Sequence, residues 1–173
     1  DRLAIIAHRD DGTRRQLTRA ELYQLVSRMA QALRAEGVRP GDRIAGLVTN
    51  DLGSIALYLA SAAIGAVWAS CSPDFGPESA SDRLGQIAPS ILFAVPGYNY
   101  AGKQVDTSAT IDAIAATRSI KSVVMIGGTA EPQKGGKRRI TLDHWLAPFE
   151  GGAIEFHRQR FNAPMVILFS SGT

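Results

Sequence analysis

The sequence predicts an α/β fold: a layered, mostly parallel sheet flanked by helices. Two observations lead to it. Short apolar runs bounded by turn residues alternate along the chain with helix-length segments, which is the rhythm of βαβ units and hence of parallel strands. Composition supplies the second: 173 residues with 45% hydrophobic and 20% charged side chains can form one domain, or most of one, around a sizeable core. So low a charge content does not describe a disordered chain.

Taken in order, Leu3-Ala4-Ile5-Ile6-Ala7 reads as a strand, and Asp11-Gly12 as a tight turn into a second strand near Thr13 to Leu17. Thr18 and Glu21 have the spacing of a capping box, in which hydroxyl and carboxylate each satisfy an orphan backbone donor. The helix they open aligns Leu22, Val26, Met29 and Leu33 on one stripe and ends before Gly37. Pro40-Gly41-Asp42 turns the chain into a strand over Arg43 to Val48. Asn50 or Asp51 caps a second helix, Leu52 to Ile64, apolar nearly all round and so expected to be buried on several sides. Further strands are expected at Ala66–Ser70, Ile91–Val95, Ser122–Ile126 and, buried, at Met165–Phe169, with helices over Glu78–Ile87, about Thr107–Thr117 and Thr141–Leu146. The remainder reads as loop: Ser72 to Pro77, the polar aromatic Gly97 to Lys103, a mobile stretch from Gly127 to Lys137, and a connector from Pro148 to Pro164.

Several function classes are constrained by composition. The net charge of +3 is modest, and much of the excess lies in one run, Lys134, Lys137, Arg138 and Arg139. No aromatic residues interleave with that run, so it reads as a solvated loop more simply than as a nucleic-acid or CoA-phosphate contact. The single Cys71 excludes an internal disulfide and fits a reducing compartment. The longest apolar stretch, Ile55 to Trp68, is broken by Ser61 and Gly65 and falls short of a membrane span. With no basic-then-apolar leader visible at Asp1, a cytoplasmic protein without membrane or nucleic-acid partners is expected.

The strongest chemical candidate closes the chain. A strand followed by Ser170-Ser171-Gly172-Thr173 can hold anionic phosphate, because glycine lets backbone approach an anion while neighbouring N–H and O–H groups donate to it. A loop of this kind normally runs on into further residues, so a larger nucleotide-using enzyme is expected. The Gly-x-x-x-x-Gly-Lys spacing of a P-loop is not present. On these four residues alone, an ordinary strand-end turn is the simpler reading, since short motifs match often by chance. Elsewhere Cys71 has no histidine or basic partner close in sequence and reads as a small buried hydrophobe. His8, His144 and His157 lack metal-ligand spacing, so no metal site is expected. Trp68 and Trp145 read as core aromatics. Asp74 and Asp82 are explained by a loop turn and a helix's polar face.

Beyond single motifs, the segments Leu17 to Leu22 and Gly37 to Ile44, with the helix after Asn50 ending in Gly65-Ala66-Val67, resemble the opening of the acyl-adenylate-forming (acyl- and aryl-CoA synthetase) superfamily. The resemblance covers essentially the whole chain. In that family a Ser/Thr/Gly-rich loop follows a strand at this point and continues through Thr-Gly, a proline and a lysine; Phe169 to Thr173 matches its first half. Trp68 to Gly76, Asp82 to Ile87 and Gly97 to Lys103 look like the acetoacetyl-CoA synthetase branch. The acetyl- and propionyl-CoA branch is similar in outline, but carries an arginine where Tyr100 stands. The resemblance implies the N-terminal portion of an adenylation large domain and an acid–thiol ligase using a short-chain carboxylate, ATP, Mg2+ and CoA. It also implies ATP-phosphate contacts from Ser170, Ser171, Gly172 and Thr173, and a CoA contact from Lys103. The family's catalytic lysine falls outside these residues, and 1–173 alone is expected to be inactive. A surface lysine explains Lys103 as readily. An acetyl-type ligase, a non-catalytic nucleotide-binding module and a basic nucleic-acid-binding domain remain as alternatives.

Overall fold

A computed structural model of the protein describes residues 1–9, 12–130 and 136–170. A β-hairpin opens the chain: β1 (Leu3–His8) pairs antiparallel with β2 (Arg14–Thr18). Gly12 lies in the turn, and Asp11 lies outside the described residues. The capping box forms as its spacing predicts, with the Glu21 amide donating to Thr18 Oγ1 at 3.3 Å and the Thr18 amide donating to the Glu21 carboxylate at 2.8 Å. It starts α1 (Arg19–Ala35), whose stripe of Val26, Met29 and Leu33 is buried.

The body of the chain is a six-stranded parallel sheet. Its strands are β3 (Arg43–Leu47), β4 (Val67–Cys71), β5 (Ile91–Ala94), β8 (Ser122–Met125), β9 (Arg138–Thr141) and β10 (Val166–Ile167), in the spatial order β10-β4-β3-β5-β8-β9. Helices α2 (Leu52–Ala63), α3 (Pro77–Gln86), α4 (Ser108–Ala115) and α5 (Leu142–Leu146) complete the fold. Period-two alternation along the strands builds two cores. Ile44, Trp68, Ile91, Phe93 and Val124 meet α1, α2 and α5 on one face; Ala45, Leu47, Leu92, Val123 and Met125 meet α3 and α4 on the other. Both tryptophans are core residues, as expected, with Trp145 edge-on to Phe93 at 5.2 Å between ring centroids.

Three expectations need correcting. The aromatic stretch read as a loop is a second hairpin, β6 (Gly97–Tyr100) against β7 (Lys103–Asp106). Its two-residue turn, Ala101-Gly102, has positive φ at both positions, the geometry that matches the twist of paired strands. Arg138 and Arg139, read as part of a solvated run, lie on β9. There Arg138 pairs with Glu36 at 2.6 Å and Arg139 with Asp112. An ion pair brought by another element lets cations sit on an edge strand, where charge also discourages unwanted strand addition. The final strand, expected to be buried over Met165–Phe169, pairs only at Val166 and Ile167; Met165 is 41%, Val166 37% and Leu168 83% exposed. Among the described residues its paired neighbour is β4 alone. As expected, α2 is buried on several sides, through Leu52, Ala56, Leu57, Ala60 and Ala63, with Ile55 exposed.

Candidate functional site

Because all six strands are parallel, the loops that follow them converge on one edge of the sheet. Thr49 to Asp51 follow β3, Ser72 to Gly76 follow β4, the β6–β7 hairpin follows β5, Gly127 and Gly128 follow β8, and Ser170 follows β10. The sheet grows from β3 to β4 on one side and then from β5 outward on the other, so the order reverses between β3 and β5. In open α/β sheets the crevice beyond such a reversal is where ligands commonly bind. Here the chain fills the anion position with its own carboxylate. Asp51 accepts the Leu52 amide at 2.6 Å at the N-terminus of α2 and pairs with Arg9 beyond β1. Of the two caps the sequence allows, Asp51 is the one used.

The candidate phosphate loop starts two strands away from that crevice. Ser170 is exposed beyond the carboxyl end of β10; Ser171, Gly172 and Thr173 lie outside the described residues. β10 is held by its parallel register with β4, Val166 opposite Trp68 and Ile167 opposite Ala69, and by the Trp68 amide donating to the Met165 carbonyl at 3.1 Å. Lys103 opens β7 opposite Tyr100, and both side chains are exposed on the hairpin that leaves β5 at the same edge. β10 and β5 are three strand positions apart in the sheet, about 14 Å between strand axes. The fold therefore brings Ser170 and the hairpin carrying Lys103 to one edge without bringing them into contact. Among the described residues no group of three or more His, Cys, Asp or Glu side chains could hold a metal ion.

The whole of this architecture has known counterparts. The family described as "AMP-binding enzyme" matches residues 1–173. This chain belongs to that family. It is 42% identical to acetoacetyl-coenzyme A synthetase of Rhizobium meliloti (strain 1021) over 172 residues, 98% of this chain and 26% of that protein. To acetoacetyl-CoA synthetase of Danio rerio it is 34% identical over 166 residues, 91% of this chain and 25% of that protein. Acetoacetyl-CoA synthetase from Streptomyces lividans superposes with a TM-score of 0.88 at 35% identity, covering 99% of this chain and 26% of that structure. The chain thus spans about a quarter of the length of the relatives it matches. The resemblance read from the sequence is borne out at the level of family and closest branch.

Other candidates resolve into structural roles. Cys71 is buried at the end of β4; burial pushes its thiol up and nearby Arg83 opposes this only in part, so the unreactive protonated form is favoured. Arg83 stacks 4.6 Å from the Phe75 ring centroid and donates to Ser79, fastening the loop after β4 to α3. His144 Nδ1 meets Thr141 Oγ1 at 3.0 Å at the start of α5, and the His157 amide donates to the Ala63 carbonyl at 2.8 Å. Asp74 and Asp82 are exposed, in a loop and on α3. Lys137 is half-buried, and Lys134 lies outside the described residues. No helix among the described residues is long and apolar enough to cross a membrane. Sequence reading missed the Asp51–Arg9 pair at the topological reversal. A capping aspartate gives no local sign that an arginine 42 residues earlier will meet it.

Proposed function

We propose that these residues form the N-terminal portion of the large domain of an acid–CoA ligase, with acetoacetate as the acid. The observation that carries this reading is the match along the whole chain to relatives named acetoacetyl-CoA synthetase. In the proposed reaction the acid's carboxylate attacks the α-phosphorus of ATP, and the bond to pyrophosphate breaks. The thiolate of CoA then attacks the acyl carbon, and AMP leaves with the bonding electron pair. Ser170 to Thr173 supply hydroxyl and backbone donors to the β- and γ-phosphates, stabilising and orienting the leaving group without a covalent bond to protein. Magnesium bound with the nucleotide would supply neutralisation of phosphate charge. Lys103, exposed and cationic at the same sheet edge, contacts a phosphate of the CoA nucleotide.

The test is acetoacetate-dependent exchange of labelled pyrophosphate into ATP by the longer protein that contains these residues. Exchange with acetoacetate well above that with acetate or propionate is expected. Equal exchange with acetate would move the chain to the acetyl-type branch, and none with any acid would leave a nucleotide-binding module. Residues 1–173 alone are expected to give no exchange.

A further inference from the structure

The stretch that the sequence presents only as a connector is fastened over its first half, Phe149 to Glu155, to one helix. After α5 the chain has left the β9 edge and must reach β10 on the opposite edge of the sheet. It does so as an irregular strap beside α1. A segment without regular structure still needs partners for its backbone polar groups, and here α1 side chains supply them. Arg28 donates from Nε to the Phe149 carbonyl at 2.8 Å and from its terminal nitrogen to the Leu146 carbonyl at 3.0 Å. Ser27 donates to the Gly152 carbonyl at 2.9 Å, and Gln31 accepts the Gly151 amide at 3.3 Å. Tyr23 accepts the Ile154 amide at 2.9 Å, and Arg34 donates to the Glu155 carbonyl. Residues 23, 27, 31 and 34 recur at spacings of four, four and three, so they form one stripe beside the apolar one. Gly151 fits because the strap lies against Gln24 there: an added Cβ would meet its Oε1 at 2.5 Å.

Beyond Glu155 the strap reaches the amino-terminal edge of the sheet. Its His157 ring sits over Gly65, and the His157 amide bonds Ala63. From there it enters β10, whose pairing among the described residues is with β4 over Val166 and Ile167. A two-residue ladder contributes little by itself, so the segment leading into it shares in holding it.

We propose that the polar stripe of α1 is a clamp that sets the position of β10 and of Ser170 beyond it. Tyr23, Ser27, Arg28, Gln31 and Arg34 act as positioning residues for β10 and Ser170. The inference rests on the hydrogen bonds of the strap and not on the proposed function.

Amide hydrogen exchange tests it with two reporters: Ile154, whose amide is bonded by Tyr23, and Trp68, whose amide is bonded by Met165 at the entry to β10. The variants are Tyr23→Phe, which removes one acceptor at an exposed position, Arg34→Ala, and the two combined. In the double variant both reporters should exchange on the order of tenfold faster, while amides of β5 and β8 and the melting temperature stay near wild type. Arg34→Lys, which keeps a donor, should restore most of the protection in the Arg34→Ala background position. Faster exchange at Ile154 with Trp68 unchanged would overturn the proposal, because the strap would then loosen without moving β10. A parallel rise in β5 and β8 would overturn it too, since α1 would then be contributing only general stability.

Discussion

Gly46 sits in the centre of β3, and the indole of Trp68 on β4 fills the space its missing side chain leaves. A Cβ built there would lie 2.7 Å from Trp68 Cζ2, 2.8 Å from Cη2 and 3.4 Å from Ser70 Cβ. Trp68 cannot swing outward: it is 4% exposed and packs against Phe93 at 6.4 Å between ring centroids. Gly46→Ala must therefore displace an aromatic ring inside a filled core, a small-to-large change that costs about 1–3 kcal/mol. For a chain of this size that corresponds to a fall in Tm of roughly 4–8 °C for a 2 kcal/mol loss. The same push acts on the site, because Trp68 is the register partner of Val166 and its amide holds Met165. Urea denaturation of Gly46→Ala, Trp68→Phe and the double variant checks the reasoning. Phenylalanine lacks both clashing atoms, so in the Trp68→Phe background the added methyl should cost less than half as much. A neutral Gly46→Ala would refute the overpacking argument. So would a double variant whose loss equals the sum of the two singles, since residues in contact should couple.

Three further outcomes are expected. In the longer protein Lys103→Ala should raise KM for CoA by about tenfold, a loss of roughly 1–2 kcal/mol for a charge-assisted contact at an exposed site, and leave pyrophosphate exchange unchanged; an equal fall in both would detach Lys103 from CoA. Gly172→Val should abolish exchange with little change in Tm, because a side chain between loop backbone and phosphate displaces the reacting group, and about 1 Å can cost 100-fold; Ser171→Ala should be milder, and near-normal turnover in Gly172→Val would return the loop to a plain turn. Burial raises the Cys71 thiol above its ordinary value, so its contribution to stability is fully present below the unfolded thiol's pKa and is lost as pH rises through the higher folded one. Urea midpoints should accordingly fall more steeply in wild type than in Cys71→Ala above the ordinary thiol range, and parallel curves would contradict the assignment.

Most of the helices and central strands were legible because their signals are local. The Thr18–Glu21 capping box and the stripe through Val26, Met29 and Leu33 form where their spacing places them. The short apolar runs at Ile91 and Ser122 become parallel strands between helices. The candidate phosphate loop is a reading of residue types after a strand, and Ser171 to Thr173 lie outside the described residues. Its surroundings were not legible, since Ser170 and the Lys103 hairpin meet one sheet edge only through the strand order.

Tertiary structure decided what local chemistry leaves open. Gly97 to Tyr100 carries little alternating pattern and becomes a strand because the Ala101-Gly102 turn folds Lys103 to Asp106 back on it. Arg138 and Arg139 look solvated until Glu36 and Asp112, 102 and 27 residues away, arrive to neutralise them. The strap has no periodicity because its backbone partners are side chains on a helix more than a hundred residues earlier. For the last strand, an apolar run states that burial is favourable, but not which elements do the burying. Periodicity is a property of neighbours along the chain, whereas exposure, ion pairing and the position of an edge strand are properties of neighbours in space.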